Sequence, residues 1–294
     1  MDAIMSGIAR QEWLKPLEED AQQLIHGVFA AGPAGKQVKN FLHGTWLGHP
    51  LHVVLTDVPI GAWSVTLVCD LLDGISSGKE FASAADASLS IGLVGAAAAA
   101  ATGFTDWQDV DPPARRVGLI HGLLNLGGTS LMLASLIMRK KKLRSWGHGL
   151  AALGYTTAMA AAYLGGKLVY EQKIGVNHAD VELPEKFTTV LAESELPEGE
   201  LKRADFKKTQ ILLARGGKTI YALAETCSHL GGPLSEGKLK GNSVVCPWHG
   251  SRFSLTDGRV LDGPAVHPLP CLEVRVQEGK IQVRKSATEK SKSV

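Results

Sequence analysis

Residues 227–229 read Cys-Ser-His, and residues 246–249 read Cys-Pro-Trp-His. A gap of sixteen residues separates the two steps. Each step places a thiol and an imidazole on one tight loop, and the gap brings the second loop opposite the first. Cys227, His229, Cys246 and His249 are two sulfur and two nitrogen donors, a set that suits zinc or iron–sulfur chemistry. Zinc fingers usually pair cysteine with cysteine and histidine with histidine along the chain. The interleaved order found here fits better a [2Fe–2S] cluster in which one iron takes both thiolates and the other both imidazoles.

The flanks sharpen this reading. Residues 225–234 are Glu-Thr-Cys-Ser-His-Leu-Gly-Gly-Pro-Leu, residues 246–253 are Cys-Pro-Trp-His-Gly-Ser-Arg-Phe, and Gly263-Pro264-Ala265 follows. Over residues 186–285 the chain resembles the Rieske [2Fe–2S] ferredoxin family. The resemblance implies two ligand loops and a Gly-Pro-Ala loop around the cluster, with Cys227 and Cys246 on one iron and His229 and His249 on the other. It also implies one-electron transfer. Rieske subunits of cytochrome bc complexes carry an extra cysteine in each loop, joined as a disulfide. The corresponding positions look like Gly232 and Trp248, so no such bridge is expected. Those subunits also hydrogen-bond the cluster through a serine and a tyrosine. Ser251 is present, whereas the tyrosine position looks like Phe253. Hydrogen bonds to the sulfurs favour the reduced, more negative cluster. The expected potential therefore lies below the top of the Rieske range of about −150 to +300 mV.

The chain has 294 residues, enough for about two domains. Lys and Arg total 31 against 29 Asp and Glu, a net charge of +2 that makes no case for a nucleic-acid partner. Of four cysteines, Cys69 and Cys271 lack ligand spacing and read as packed free thiols. Residues 1–40 are mixed polar, with Glu18-Glu19-Asp20, and do not read as a signal peptide.

Residues 1–48 read as an amphipathic N-terminal segment, in which Leu14, Leu17, Leu24, Ile25 and Val28 can share a helical face. Four apolar runs follow, at about 51–69, 87–105, 117–138 and 145–166. Each approaches the roughly 20 residues that a helix needs to cross the hydrocarbon core. Small residues at 96–101, 127–128 and 165–166 permit close helix approach in lipid. Trp46, Trp107 and Trp146 lie near run ends, as interfacial aromatics do. The expected architecture is α + β with two domains. A four-helix transmembrane bundle at 49–170 and a linker at 171–185 precede a small antiparallel all-β domain at 186–285 and a disordered tail at 286–294. Gly216-Gly217 and Glu278-Gly279 mark two hairpins.

With four spans, the starts of spans one and three and the end of span two share one side with the β-domain. His49, His52, Asp57, Asp106, His121 and Asn125 gather there. Ionisable groups at membrane depth mark a functional site by default. Three readings stand: mutual hydrogen bonding that fixes helix packing, a quinone or quinol pocket, and haem held by two histidines from spans one and three. His26, His43, His178 and His267 read as surface groups. The block Arg139–Arg144 would be cytoplasmic by the positive-inside rule, but the other basic residues oppose this, so sidedness is left undetermined.

Residues 44–63, Thr105-Asp-Trp107 and the Arg-x-Gly-x-x-His-x-x-x-Asn pattern of 116–125 are similar to a bacterial family of four-span membrane domains of unknown function, over about 40–170. The expected protein is a multi-pass protein of the bacterial inner membrane that carries electrons through a Rieske cluster. Its partners would be lipid and a redox protein or quinone. The alternatives are a quinol-oxidising reductase subunit and a redox sensor or assembly protein. A carrier fits better than a catalyst, and an enzyme of this kind would be an oxidoreductase.

Overall fold

The structure, a computed structural model, describes residues 3–29, 32–75 and 80–286. The tail at 287–294 lies outside the described residues. Contacts divide the chain into two units. One comprises Met1–Gly35 and Pro50–Ile174, the other Lys36–His49 and Gly175–Val294.

The first unit is helical. Short α1 (Ala3–Ala9) and amphipathic α2 (Lys15–Phe29) precede four long helices: α4 (Leu51–Ile75), α5 (Ala82–Trp107), α6 (Ala114–Lys140) and α7 (Arg144–Tyr170). Between them, α3 (Gly32–His43) runs from the first unit into the second. α4, α5 and α6 are long and apolar enough to cross a membrane. α7 has 27 residues, but glycines, threonines, tyrosines and His148 dilute its apolar character. α4 packs chiefly on α5, and α6 chiefly on α7. The core draws on all four helices through Trp63, Leu89, Met132, Ala151 and Ala158. At the crossing of α6 and α7, a Cβ on Gly154 would lie 2.9 Å from the Gly128 carbonyl oxygen, so only glycine lets these backbones approach.

Both ends of this unit hold buried polar networks that hydropathy does not show. Glu18 on α2 is fully buried and accepts from Arg115 and Arg116, each at 3.2 Å. The Gln22 amide donates to the carbonyls of Trp107, Gln108 and Val110 at 3.1–3.2 Å, capping the end of α5. Trp107 is buried rather than interfacial. Leu17, Leu24 and Val28 of α2 are exposed, whereas Leu14, just before α2, is buried. At the other end Arg139 is buried against Asp70 and Asp86, Arg144 pairs with Asp73 and Asp86, and His148 lies 3.3 Å from Asp70. The block at 139–144 thus presents mainly its three lysines as free charge, which weakens the topological argument drawn from it.

The second unit is antiparallel β. β1 (Thr188–Ala192), β2 (Leu201–Phe206), β3 (Thr209–Gly216), β4 (Thr219–Ala224), β9 (Cys271–Gln277) and β10 (Lys280–Lys285) form a six-stranded sheet in the order β1-β10-β9-β4-β3-β2. β5 (Lys238–Leu239), β6 (Ser243–Val245), β7 (Arg252–Ser254) and β8 (Val260–Asp262) form a second sheet in sequence order. Both expected hairpins are present, Gly216 pairing with Thr219 and Gln277 with Lys280. β4 pairs with β9 through Ala222 and Leu272, which pins both ends of the intervening small sheet. Residues 175–185 are not a free linker. Ala179 and Leu183 are buried in the two apolar clusters of this unit.

Candidate functional site

The small sheet is a frame for two loops. The loop after β4 carries Cys227 and His229, and the loop between β6 and β7 carries Cys246 and His249. The Cys227 N–H donates to Gly232 O at 2.8 Å, and Gly231 N–H returns to Cys227 O at 3.0 Å, closing the first loop. The Cys246 N–H donates to Ser251 O at 2.8 Å and Gly250 N–H to Cys246 O at 3.2 Å, closing the second. The loops approach so closely that a Cβ on Gly232 would sit 2.8 Å from Cys246 Sγ and 3.1 Å from the Trp248 ring. Gly232 and Trp248 therefore face each other, as their match to the two extra cysteines of cytochrome bc subunits implies. With these two residues the loops close without a disulfide.

The four donors separate by polarity. Cys227 and Cys246 are 1% and 3% exposed and lie in one apolar cluster with Phe253 and Leu234, while His229 and His249 are half-buried at the surface. The histidine rings stand 5.1 Å apart with planes at 86°. With a metal–nitrogen bond of about 2.0 Å, a ring centroid lies about 3.2 Å from the metal, so two rings on a tetrahedral ion sit about 5.2 Å apart. The histidine pair fits one tetrahedral iron. Among the described residues, no three His, Cys, Asp or Glu side chains converge on one point. The two thiols pair with each other and the two imidazoles with each other, the grouping that a two-iron cluster takes. The Cys227 thiol is pushed up by its hydrogen bond to Cys246 and by burial, and Cys246 falls to about 7 because Cys227 donates to it. The cysteine pair thus loses its protons in two unequal steps, and a bound metal would require both to be gone.

A third loop closes over the site. Ser251, fully buried, accepts the Ala265 N–H at 3.0 Å, and its hydroxyl also reaches the Cys227 sulfur. Ser228 donates to His267 O at 2.6 Å. The Gly263-Pro264-Ala265 loop is held from outside by α3. Asn40 Oδ1 accepts Gly263 N–H at 2.9 Å, Asn40 Nδ2 donates to Asp262 at 3.1 Å, and Lys36 pairs with Asp262 at 2.8 Å. His43, read from sequence as a surface group, is buried with its ring against Gly263. Asn40, Lys36 and His43 were not legible as site residues, because only long-range packing brings them there, and Ser228, although inside the first ligand loop, gave no sign of its bond to His267 O.

Of the polar residues expected in the helical unit, His52, His121 and Asn125 come together. Asp57 is exposed on α4 and Asp106 half-buried at the end of α5. His49 groups with the second unit.

Residues 186–273 match the family described as "Rieske [2Fe-2S] domain", and residues 48–178 match "Predicted membrane protein (DUF2231)". The chain is 35% identical over 95 residues to Ferredoxin CarAc of Metapseudomonas resinovorans, covering 32% of this chain and 89% of that protein. The chain belongs to the Rieske [2Fe–2S] family. The Rieske region is also 38% identical over 89 residues to the 3-phenylpropionate/cinnamic acid dioxygenase ferredoxin subunit of Escherichia coli, covering 30% of this chain and 83% of that one. It is 31% identical over 98 residues to mouse apoptosis-inducing factor 3, covering 33% of this chain but spanning only 16% of that relative's length. The matched region is a Rieske domain and carries a [2Fe–2S] cluster.

Proposed function

We propose that this protein is a membrane-anchored Rieske electron carrier of the bacterial inner membrane. Its cluster is held by Cys227 and Cys246 on one iron and by His229 and His249 on the other, with the Ser251 hydroxyl donating a hydrogen bond to the Cys227 sulfur. The observation that carries this reading is the polarity of the site. Two sealed cysteines lie beneath two half-buried histidines set 5.1 Å apart. When bound, the cluster supplies a one-electron couple. Cys227 and Cys246, sealed from solvent, would hold one iron where water does not reach. His229 and His249 form the exposed edge at which a partner docks, beside the exposed Trp248. Each imidazole can couple electron transfer to loss of its outer proton. The similarity to dioxygenase ferredoxins supports a soluble redox protein as that partner.

The match of 48–178 to a membrane family and the three apolar helices support anchoring, and we read α7, of similar length, as a fourth span. The exposed apolar face of α2 suits the lipid surface. The decisive experiment is Cys246→Ala in the full chain. The variant is expected to lose the visible and EPR signature of the cluster and to destabilise the β-unit, because ligation contributes folding free energy. An intact cluster spectrum would overturn the ligand assignment.

A further inference from the structure

The helical unit carries one constellation twice. In the α4–α5 hairpin, His52 Nδ1 lies 2.9 Å from Ala99 O, and Gly103, one turn along α5, backs the ring. A Cβ there would stand 2.8 Å from His52 Cε1. In the α6–α7 hairpin, His121 Nδ1 lies 2.8 Å from Ala161 O, and Gly165, one turn along α7, backs the ring. A Cβ there would stand 3.0 Å from His121 Cε1. A neutral ring that donates Nδ1–H to a carbonyl keeps its lone pair on Nε2, the state in which ligating histidines are held.

α4 and α6 each pack on α5 and α7, so they are the diagonal pair of the bundle. Across that diagonal the His52 and His121 rings stand 6.5 Å apart with planes at 86°. By the geometry applied to the Rieske loops, a bond of about 2.0 Å puts rings on opposite sides of one metal about 6.4 Å apart, against about 5.2 Å on a tetrahedral ion. His229 and His249 match the tetrahedral value, and His52 and His121 match the opposed one.

Among the described residues, no third His, Cys, Asp or Glu joins this pair to make a metal-binding group. Two opposed imidazoles leave most positions of a bare cation unfilled in an apolar bundle. A haem brings four nitrogens of its own and takes axial ligands from the protein. Both rings are half-buried rather than sealed, and the hairpins pack less closely on each other than within themselves. We propose that His52 and His121 are the axial ligands of a haem held between the two hairpins. The Asn125 amide, 3.1 Å from His121 Nε2, occupies the lone pair that the iron would take, so haem binding requires it to turn away.

The test uses full-length protein in detergent, assayed for haem content and visible spectrum, with haemin titrated into protein from haem-limited cells. Six-coordinate low-spin bands at one haem per chain are expected. His52→Ala and His121→Ala should each abolish them while the [2Fe–2S] EPR signal persists. His121→Met should keep six-coordination and raise the haem potential. Gly103→Leu, which drives carbon into the His52 ring, should weaken haemin binding about 10–100-fold. Asn125→Leu, which removes the partner competing for His121 Nε2, should tighten it. Wild-type protein that takes up no six-coordinate haemin overturns the proposal, as do both alanine variants with unchanged bands. Should an alanine variant lose helicity, the wild-type titration and His121→Met still decide. Haem bands and the cluster signal are read separately, so failure here leaves the Rieske reading untouched.

Discussion

Ser251 Oγ accepts the main-chain N–H of Ala265 at 3.0 Å, fourteen residues further along the chain. With its lone pair so engaged, the hydroxyl proton is free to point at the Cys227 sulfur. Ser251→Ala removes both contacts. A hydrogen bond worth about 1 kcal/mol corresponds to about 40 mV for a one-electron couple. The midpoint should fall by about that much, and the orphaned Ala265 amide should cost about 1–3 kcal/mol of stability. A redox titration followed by EPR checks the first effect. An unmoved midpoint would mean that the hydroxyl does not reach the loaded cluster.

Phe253 is fully buried in the same apolar cluster as both cysteines. Phe253→Tyr adds a donor there. If the hydroxyl meets a cluster sulfur, the potential rises by about 40 mV, again for about 1 kcal/mol. If it meets no partner, burial of a bare hydroxyl costs about 1–3 kcal/mol with no change of potential. Voltammetry and thermal melting on one sample separate the two cases, and the second would sink the sulfur contact.

Gly232→Ala places a Cβ 2.8 Å from Cys246 Sγ and against the Trp248 ring. The loops must part for it. Iron content should drop well below the wild-type ratio, with loss of visible absorbance. Full cluster occupancy in this variant would show that the loops yield more easily than their packing implies.

Asp262 is buried, which opposes ionisation, yet Lys36, Asn40 and Arg252 together hold its carboxyl below the usual carboxylate range. A depressed folded pKa contributes stability that is present above the unfolded value of about 3.9 and is lost as pH falls through the folded one. Melting temperature should therefore decline in acid below about pH 4, and Asp262→Asn should flatten that slope. Asn40→Ala, which orphans Gly263 N–H, should cost about 1–2 kcal/mol at neutral pH. An acid slope unchanged in Asp262→Asn would remove Asp262 as its source.

The ligand loops were legible because the chemistry confines them to short local spacing. Cys227 with His229 and Cys246 with His249 read out directly, and both glycine-marked hairpins were found. The strands of the small sheet were not, since β5 has two residues and β6, β7 and β8 have three each, too few for any alternation to show. The burial and pairing of Glu18, Arg139 and Arg144 were not legible, because sequence does not show a partner many tens of residues away. In the bundle, His52 and His121 stood out as expensive polar groups, but their matching carbonyls and glycines lie on other helices. Asn40 carried no signal at all. It gains meaning only where Gly263 meets it.

The chain passes from one unit to the other three times, at 35–36, 49–50 and 174–175. A ferredoxin made for transplantation can be excised with two cuts and spliced elsewhere. Here a fragment that starts at Gly175 would leave Asp262 and Gly263 facing the places where Lys36 and Asn40 belong, and the loop over Ser251 would lose its outer buttress. A portable form that keeps these contacts is discontinuous in sequence, with Lys36–His49 grafted back by a designed splice.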